Sequence, residues 1–537
     1  MKYYDRAILK KIIESLEIMP AIFLNGPRQV GKSTLMHRII QKKYISADYV
    51  TFDDITIFAS ASKDPEGFLR NFTRPIIIDE VQKVPQIFSS LKLLIDEYRQ
   101  KDKTLANGRF ILTGSVSIMA VPKLSEALVG RMAIISLYPL SASEVISEKG
   151  NGIPVINGWF DQKILFERSN EKFILDNVIH KTSFPEIVDM DKRGRDTWFN
   201  SYISTLLQRD VRELAEITKI AFLPNMLKML AARVGSVLNN TNFAKDAQLD
   251  VMTYERYRIL LEKVFLITLV KPWYRNINLR LVRTPKVYFT DTALLCHQLG
   301  VDSTELKQNS PILYGHILEN FVFSELQKQM NLLGENYELY YFRVHGNKEE
   351  EVDFVIERKN GSLIGIEVKS NYSVTDKDFI SLNKLKKAVG KDFIKGIVLY
   401  HGEDTISFGE NMVAMPISKL WSFNMEIVIN KETIYLQEEG CMSVWANYGS
   451  NTEVRCDIKR ETISDFFLNR PSEDQMKKAI KQYWDLISSI FIRKIREGQI
   501  DIKVYEARGV NGSDQKISYV LLTPGDFGYK DFRNVEL

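Results

Sequence analysis

The spacing of apolar and polar positions changes along this chain, and each change marks an element. The opening MKYYDRAILKKIIESLEIMP reads as an amphipathic, charged helix. AIFLN is an apolar run short enough for a buried strand, and after a glycine-rich turn STLMHRII returns to helical spacing. RPIIID and RFILT are two more apolar runs that end on polar residues, as buried parallel strands do. Helical periodicity flanks a Phe-Pro break between residues 170 and 215. FLPNMLKMLAARVGSVLNNTNFAKDAQLDVMTYERYRILLEKVFLITLV then predicts three helices separated by polar turns, leading into a hairpin. YGHILENFVFSELQKQM is a further helix, followed by the strands YELYYFRV, EVDFVIER and LIGIEVKS. Beyond residue 423, MEIVINKETIYLQEEGCMSVWANY and NTEVRCDIKR alternate like strands. PSEDQMKKAIKQYWDLISSIFIRKIREG predicts a helix with Ser472 and Gln475 as a capping box and Gly498 at its end.

The turn after the first apolar run carries chemistry. Gly26, Pro27, Arg28, Gln29, Val30, Gly31, Lys32, Ser33 and Thr34 spell Gly-x-x-x-x-Gly-Lys-Ser-Thr between a strand and a helix. Glycines let the backbone fold round an anion so that its N–H groups and the helix N-terminus face phosphate. Lys32 can reach the β- and γ-phosphates, and the Ser33 hydroxyl can ligate Mg²⁺. Asp79, at the tip of the second run, is placed to hold the same Mg²⁺, and Glu80 to polarise an attacking water. Thr113, at the tip of the third, is a candidate γ-phosphate sensor, although Thr-Gly-Ser is also ordinary turn chemistry.

The ordered series GPRQVGKST, IIIDEVQKVP, ILTGS, LVGR and LYPLS resembles the AAA-type ATPases of bacteria and archaea that carry a DUF4143 C-terminal region. The resemblance runs through about residue 420. It implies an ATP-hydrolysing core and makes Arg131 a candidate γ-phosphate arginine, acting in cis or from a neighbouring subunit. The residues alone show only an Arg after a Gly, which an ordinary surface arginine also satisfies. Arg209, in LLQRDVREL, carries the same two readings.

A second site is suggested by charges inside an apolar hairpin. Glu319 lies amid apolar neighbours of a helix, Asp353 on one strand, and Glu367 with Lys369 on the next. This is the signature of PD-(D/E)xK nucleases. Glu367 and Lys369, two apart, share one face of their strand. If Lys-Asn-Gly closes the hairpin as a three-residue loop with Gly361 left-handed, Asp353 lies opposite Glu367; a two-residue turn would shift the register by one. Asp353 and Glu367, completed by Glu319, are then expected to bind Mg²⁺ or Mn²⁺, with Lys369 offsetting phosphate charge. Arg343 and His345 lie just upstream, the latter more simply read as an exposed histidine. Trp273, Tyr274, Arg275, Arg280, Arg283 and Lys286 mix basic and aromatic residues on the middle hairpin. They suit either a phosphate-contacting wing or a solvated face between domains.

Composition changes this picture little. At 537 residues the chain exceeds one core, and 45% hydrophobic with 26% charged residues is ordinary for a globular protein. A net charge of +4 is nearly balanced and neither requires nor excludes nucleic acid. Three scattered cysteines without metal spacing suit a reducing compartment, and no signal-peptide core or bilayer-length apolar run is read, so a cytoplasmic location is expected.

The fold expected is α/β and multidomain. It has a P-loop parallel-sheet ATPase core (1–155), a helical lid (156–220), a winged-helix domain (221–300), a PD-(D/E)xK nuclease-like domain (301–424) and a small α+β module (425–537). The function expected is ATP hydrolysis coupled to a DNA-binding, Mg²⁺-dependent nuclease domain. The alternative is an ATP-driven switch whose nuclease-like part is inactive and binds only nucleic acid or a protein partner. Oligomerisation and a protein partner for the last module stay open.

Overall fold

A computed structural model describes residues 2–102, 104–115, 128–146, 155–161, 175–209, 211, 220–302, 306–307, 309–334, 336–344 and 350–421. Of the last part it describes residues 428–429, 435–436, 441–448, 452–459, 473–482, 487, 491, 501–505 and 515–522. The chain forms two compact units, 1–423 and 424–537.

The first sheet of the larger unit has five parallel strands: β1 (Ala21–Asn25), β2 (Asp48–Thr51), β3 (Ile76–Asp79), β4 (Phe110–Thr113) and β5 (Met132–Ser136), in the order β2-β3-β4-β1-β5. Alternate residues of the buried strands enter opposite cores. Ile22, Leu24, Ile77 and Ile111 pack on one side, and Phe23, Ile76, Ile78, Phe110 and Leu112 on the other. This double burial explains why these strands read as unbroken apolar runs. Because all strands are parallel, their carboxyl ends gather Gly26, Asp79 and Thr113 along one edge, with β4 between β3 and β1.

The second sheet has eight strands: β6 (Ile267–Pro272), β7 (Lys286–Phe289), β8 (Tyr337–Val344), β9 (Glu350–Arg358), β10 (Leu363–Lys369), β11 (Phe393–Tyr400), β12 (Ile406–Ser407) and β13 (Met412–Pro416). Their order is β12-β13-β11-β10-β9-β8-β6-β7. Helix Pro311–Leu333 packs on one face through Ile317, Leu318 and Phe321, and helix Ile380–Val389 on the other through Leu382 and Leu385.

Helices Leu223–Ala231, Asn240–Asp246 and Val251–Lys263 precede β6 and β7, which pair antiparallel from Ile267–Phe289 to Val270–Lys286. The expected three helices and strand pair are therefore present, with one difference. A short helix, Ile277–Val282, joins the strands, and β6 also pairs with β8, which absorbs the pair into the eight-stranded sheet.

The core that begins with Ile8 and Ile22 continues without interruption through Phe199, Tyr288, Phe321 and Ile397 to Trp421. Helix Pro311–Leu333 crosses this continuity. Its Lys328 ammonium donates to the Leu140 carbonyl (3.0 Å), Glu325 accepts from the Ala142 N–H (3.1 Å), and the Asn331 amide donates to the Ser136 carbonyl (2.6 Å).

In the smaller unit, strands Cys441–Tyr448 and Thr452–Lys459 pair antiparallel, and the second pairs in parallel with Gln515–Leu522. Asp501–Tyr505 and two short strands complete a six-stranded sheet. A helix covers Glu473–Gln482; Ser472 and Gly498 of the expected capped helix lie outside the described residues.

Candidate functional site

The phosphate loop has the backbone its sequence requires. Gly26 sits at φ 143°, and a Cβ there would lie 2.1 Å from the Leu137 carbonyl oxygen that closes over it. Gly31, at φ 92°, starts helix Lys32–Gln41, so the first amides of that helix face the loop. Pro27 and Val30 are buried, Arg28 is half-buried, and Gln29 and Thr34 are exposed. Lys32 is 7% exposed, and its ammonium donates to the carbonyls of Gly26 (2.9 Å) and Pro27 (2.8 Å), at the mouth of the loop.

Asp79 is the hub of the site. One carboxylate oxygen accepts from Ser33 Oγ (2.7 Å) and from the Tyr49 phenol (2.7 Å), while the other accepts from the Thr113 hydroxyl. Burial and the neighbouring Asp79 push the Tyr49 phenol above its usual range, so it remains a donor. Glu80 adopts a left-handed backbone (φ 55°), donates its N–H to Asp79 (3.1 Å) and accepts from the Gln82 amide. A non-glycine residue held there is costly, and such strain is retained where the surroundings enforce it. Ser33, Asp79 and Thr113 are hard oxygen donors beside an ammonium and a helix N-terminus, a set that fits magnesium with a polyphosphate.

Sequence reasoning missed two residues here. Tyr49 lies on β2, whose sequence carries no motif. Arg6 is buried, and its guanidinium donates to the Val30 carbonyl inside the phosphate loop (2.8 Å), to the Tyr138 carbonyl (2.6 Å) and to Glu144 (3.1 Å). No spacing marks that arginine, because its partners are 24 to 138 residues away.

For Arg131 only the reading within its own chain is corrected. Its carbonyl accepts from the Ala21 N–H at the start of β1, so it stands at the amino end of the sheet, five residues and roughly 16 Å of strand from Gly26. Its guanidinium forks onto Asp96 (2.7 and 2.9 Å) and holds that carboxyl below its usual range. It does not reach the phosphate loop of its own chain. Arg209 lies at the C-terminal end of helix Lys192–Gln208.

On the second sheet, Arg358 and Ser362 bracket the loop Lys359-Asn360-Gly361, with Gly361 at φ 85°. The register Leu363–Glu357 through Ile366–Phe354 leads to Asp353 opposite Glu367, the alignment the three-residue loop demands. The Val368 N–H donates to Asp353 (2.8 Å), and Lys369 donates to Glu367 Oε1 (2.8 Å). Glu367 Oε2 is buried without a hydrogen-bond partner. Burial, then the charges of Glu367 and Glu319, push Asp353 well above the usual carboxylate range; burial also raises Glu367, against the pull of Lys369.

The three acids do not act as one ligand set. Glu319 is turned to Lys286 (3.0 Å) and the Tyr288 phenol (2.6 Å), and despite burial these partners hold its carboxyl below the usual range. Among the described residues no group of three or more His, Cys, Asp or Glu is disposed to hold a metal ion. The expectation that Glu319 completes the metal set with Asp353 and Glu367 is therefore corrected. What remains is a two-carboxylate pair with one orphaned buried oxygen, a donor set that fits a single hard cation.

The basic middle hairpin is also corrected. Lys286 is 1% exposed, Arg280 forks onto Glu357 over the rings of Trp273 and Tyr340, and Trp273 is buried. Arg275 donates to the Val389 carbonyl (3.1 Å) and Arg283 is exposed. Two of the four basic residues, Arg280 and Lys286, are thus committed to internal ion pairs. Arg343 stands opposite Glu351 in the β8–β9 pairing, and His345 lies outside the described residues.

Comparison with known proteins finds three family models along the chain. Residues 19–146 match the family model of the AAA domain (AAA_14), residues 173–305 a domain of unknown function (DUF8612), and residues 314–420 a domain of unknown function (DUF4143). The chain thus joins a region that matches the AAA domain to one that matches DUF4143. Two curated relatives, the uncharacterized proteins Rv2008c of Mycobacterium tuberculosis and Mb2031c of Mycobacterium bovis, are each 29% identical over 411 residues, spanning 76% of this chain and 83% of theirs. Among solved structures, the Walker-type ATPase paby2304 of Pyrococcus abyssi aligns with 55% of this chain and 96% of its own at 15% identity (TM-score 0.34). The Thermotoga maritima RuvB Holliday junction branch migration motor aligns with 49% and 89% at 16% identity (TM-score 0.24). No helix among the described residues is long and apolar enough to cross a membrane.

Proposed function

We propose that this protein binds and hydrolyses ATP at the carboxyl edge of its five-stranded sheet. The observation that carries this reading is the Asp79 carboxylate gathering the hydroxyls of Ser33 and Thr113 beside the amides of the Gly26–Ser33 loop. Lys32 would leave the Gly26 and Pro27 carbonyls for the β- and γ-phosphates, and Ser33 and Asp79 would hold the magnesium ion, which supplies charge neutralisation at the γ-phosphate. Thr113, on the other carboxylate oxygen of Asp79 from Ser33, would be the sensing hydroxyl. Glu80, fixed by its strained backbone and by Gln82, orients and polarises water.

Calorimetry and phosphate-release assays test this. Lys32→Ala should abolish ATP binding, whereas Glu80→Gln should bind normally and turn over at least 100-fold more slowly, the scale of a lost general base. Normal turnover by Glu80→Gln would remove the role given to Glu80. No heat from the unaltered protein with any adenine triphosphate would end the reading.

A second activity is favoured by one observation, the buried orphan oxygen of Glu367 beside Asp353 and Lys369. We propose that this pair holds a divalent ion in a nuclease-like site of the PD-(D/E)xK kind, with Lys369 offsetting phosphate charge. Helices Leu223–Ala231 to Val251–Lys263 with β6 and β7 form a winged-helix connector in this scheme.

A further inference from the structure

We infer that the acidic pocket of the eight-stranded sheet carries its own cation: the Lys286 ammonium is the resident partner of Glu319 and Glu351 and excludes a divalent ion from those two carboxylates. Lys286 lies 3.0 Å from Glu319 and also pairs with Glu351. Its stem does not reach outward as a surface lysine's would, because the side chain is 1% exposed.

The backbone fixes the ammonium in place. β6 pairs with residue 286 on one side; on the other, the Gly235 and Leu238 N–H groups donate to the carbonyls of Val287 (3.0 Å) and Pro285 (2.9 Å). Tyr288, two residues along, shares the strand face and brings its phenol to the same Glu319 oxygen. Gly235 is needed for this closeness, since a Cβ there would lie 2.8 Å from Glu319 Oε2.

Charge counting gives the assignment its consequence. Glu319, Glu351, Asp353 and Glu367 bring four carboxyls, against the two ammoniums of Lys286 and Lys369. Lys286 touches Glu319 and Glu351, and its charge also acts on Asp353 and Glu367 from farther off. The remaining deficit lies at Asp353 and Glu367, where Glu367 Oε2 has no partner. The pocket therefore accepts a divalent ion at one end at most, a statement that rests in part on the reading of Asp353 and Glu367 given above. Removing the ammonium would leave the buried Glu319 with only the Tyr288 phenol and His316 (3.9 Å) beside it, and the partly exposed Glu351 without Lys286, two carboxylates that recruit a hard cation from solution.

The test is a count of bound Mn²⁺ per full-length chain without nucleotide, read from the loss of the free-ion electron paramagnetic resonance signal. Lys286→Met should bind one ion more than the unaltered protein. Lys286→Arg should keep the unaltered count, and Lys286→Met combined with Glu319→Gln should lose the extra ion. A folded Lys286→Met chain with the unaltered count overturns the inference. If Lys286→Met does not unfold cooperatively in chelator, Mn²⁺ should restore its thermal transition, and failure to restore it also overturns the inference. Ions held at Ser33 and Asp79 cancel in the comparison. The Glu319→Gln background, which leaves Asp353 and Glu367 intact, separates the two ends of the pocket. If no ion in the unaltered chain depends on Asp353, the nuclease-like reading fails while the role of Lys286 stands.

Discussion

Replacing Arg6 by methionine should be among the most damaging single changes in the nucleotide-binding half, although Arg6 belongs to no motif. The side chain is buried, and its removal deprives three acceptors at once: the Val30 carbonyl, the Tyr138 carbonyl and Glu144, whose side chain is 6% exposed. Breaking a buried ion pair by deleting one partner costs roughly 3–5 kcal/mol, because the other charge stays in place. Glu144 still accepts from the Ala7 (2.9 Å) and Ser141 (3.0 Å) N–H groups, and methionine fills much of the vacated volume. The loss should therefore fall near the lower end, about 3 kcal/mol. Adding Glu144→Gln removes the stranded charge, so the double variant should recover about 1–2 kcal/mol relative to the sum of the single losses, within the range of coupled neighbours. Urea unfolding of the four chains gives that cycle, and ATP calorimetry should show weaker binding wherever Arg6 is absent, because Val30 lies in the phosphate loop. A loss below about 1 kcal/mol with no coupling to Glu144 would refute the reasoning.

Cleavage and acidity offer further checks. Divalent-metal-dependent nicking of circular DNA should disappear in Asp353→Ala and in Lys369→Ala while ATP turnover persists; absence of nicking in the unaltered protein across metals and substrates would favour the switch reading. Asp291 caps helix Thr292–Leu299, and burial pushes its carboxyl up to about 6. A carboxyl raised in the folded state contributes stability that is complete below its unfolded value and is lost as pH rises through 6. Asp291→Asn keeps an oxygen for the Leu294 N–H (2.7 Å), so its stability relative to the unaltered chain should rise between pH 4 and 7, by at most about 3 kcal/mol. A difference that stays flat with pH would count against this account.

The phosphate loop and the acid-tipped strands were legible because each is encoded within a short stretch, and the Asp353–Glu367 register was legible as one of two alternatives set by the turn. Glycine positions, unbroken apolar runs and the length of the Lys-Asn-Gly loop all act locally. Arg6, Tyr49 and the seat of Lys286 were not legible, since each depends on which distant strand becomes a neighbour. The basic hairpin misled for the same reason. Its arginine and lysine resemble a solvated face until Glu357, Glu351 and Glu319 are brought beside them by β8, β9 and helix Pro311–Leu333. Arg131 directly precedes the strand Met132–Ser136 and so lies at its amino end, away from the phosphate loop of its own chain, which leaves its neighbouring-subunit reading as it was.

Helix Pro311–Leu333 carries side-chain contacts toward both sheets of the larger unit. At its middle it fixes one wall of the acid pocket; a few turns on, Lys328 grips the Leu140 carbonyl 188 positions away in sequence, just past the peptide that roofs Gly26. One helix thus borders the surroundings of Gly26 at one stretch and the carboxylates of the second sheet at another.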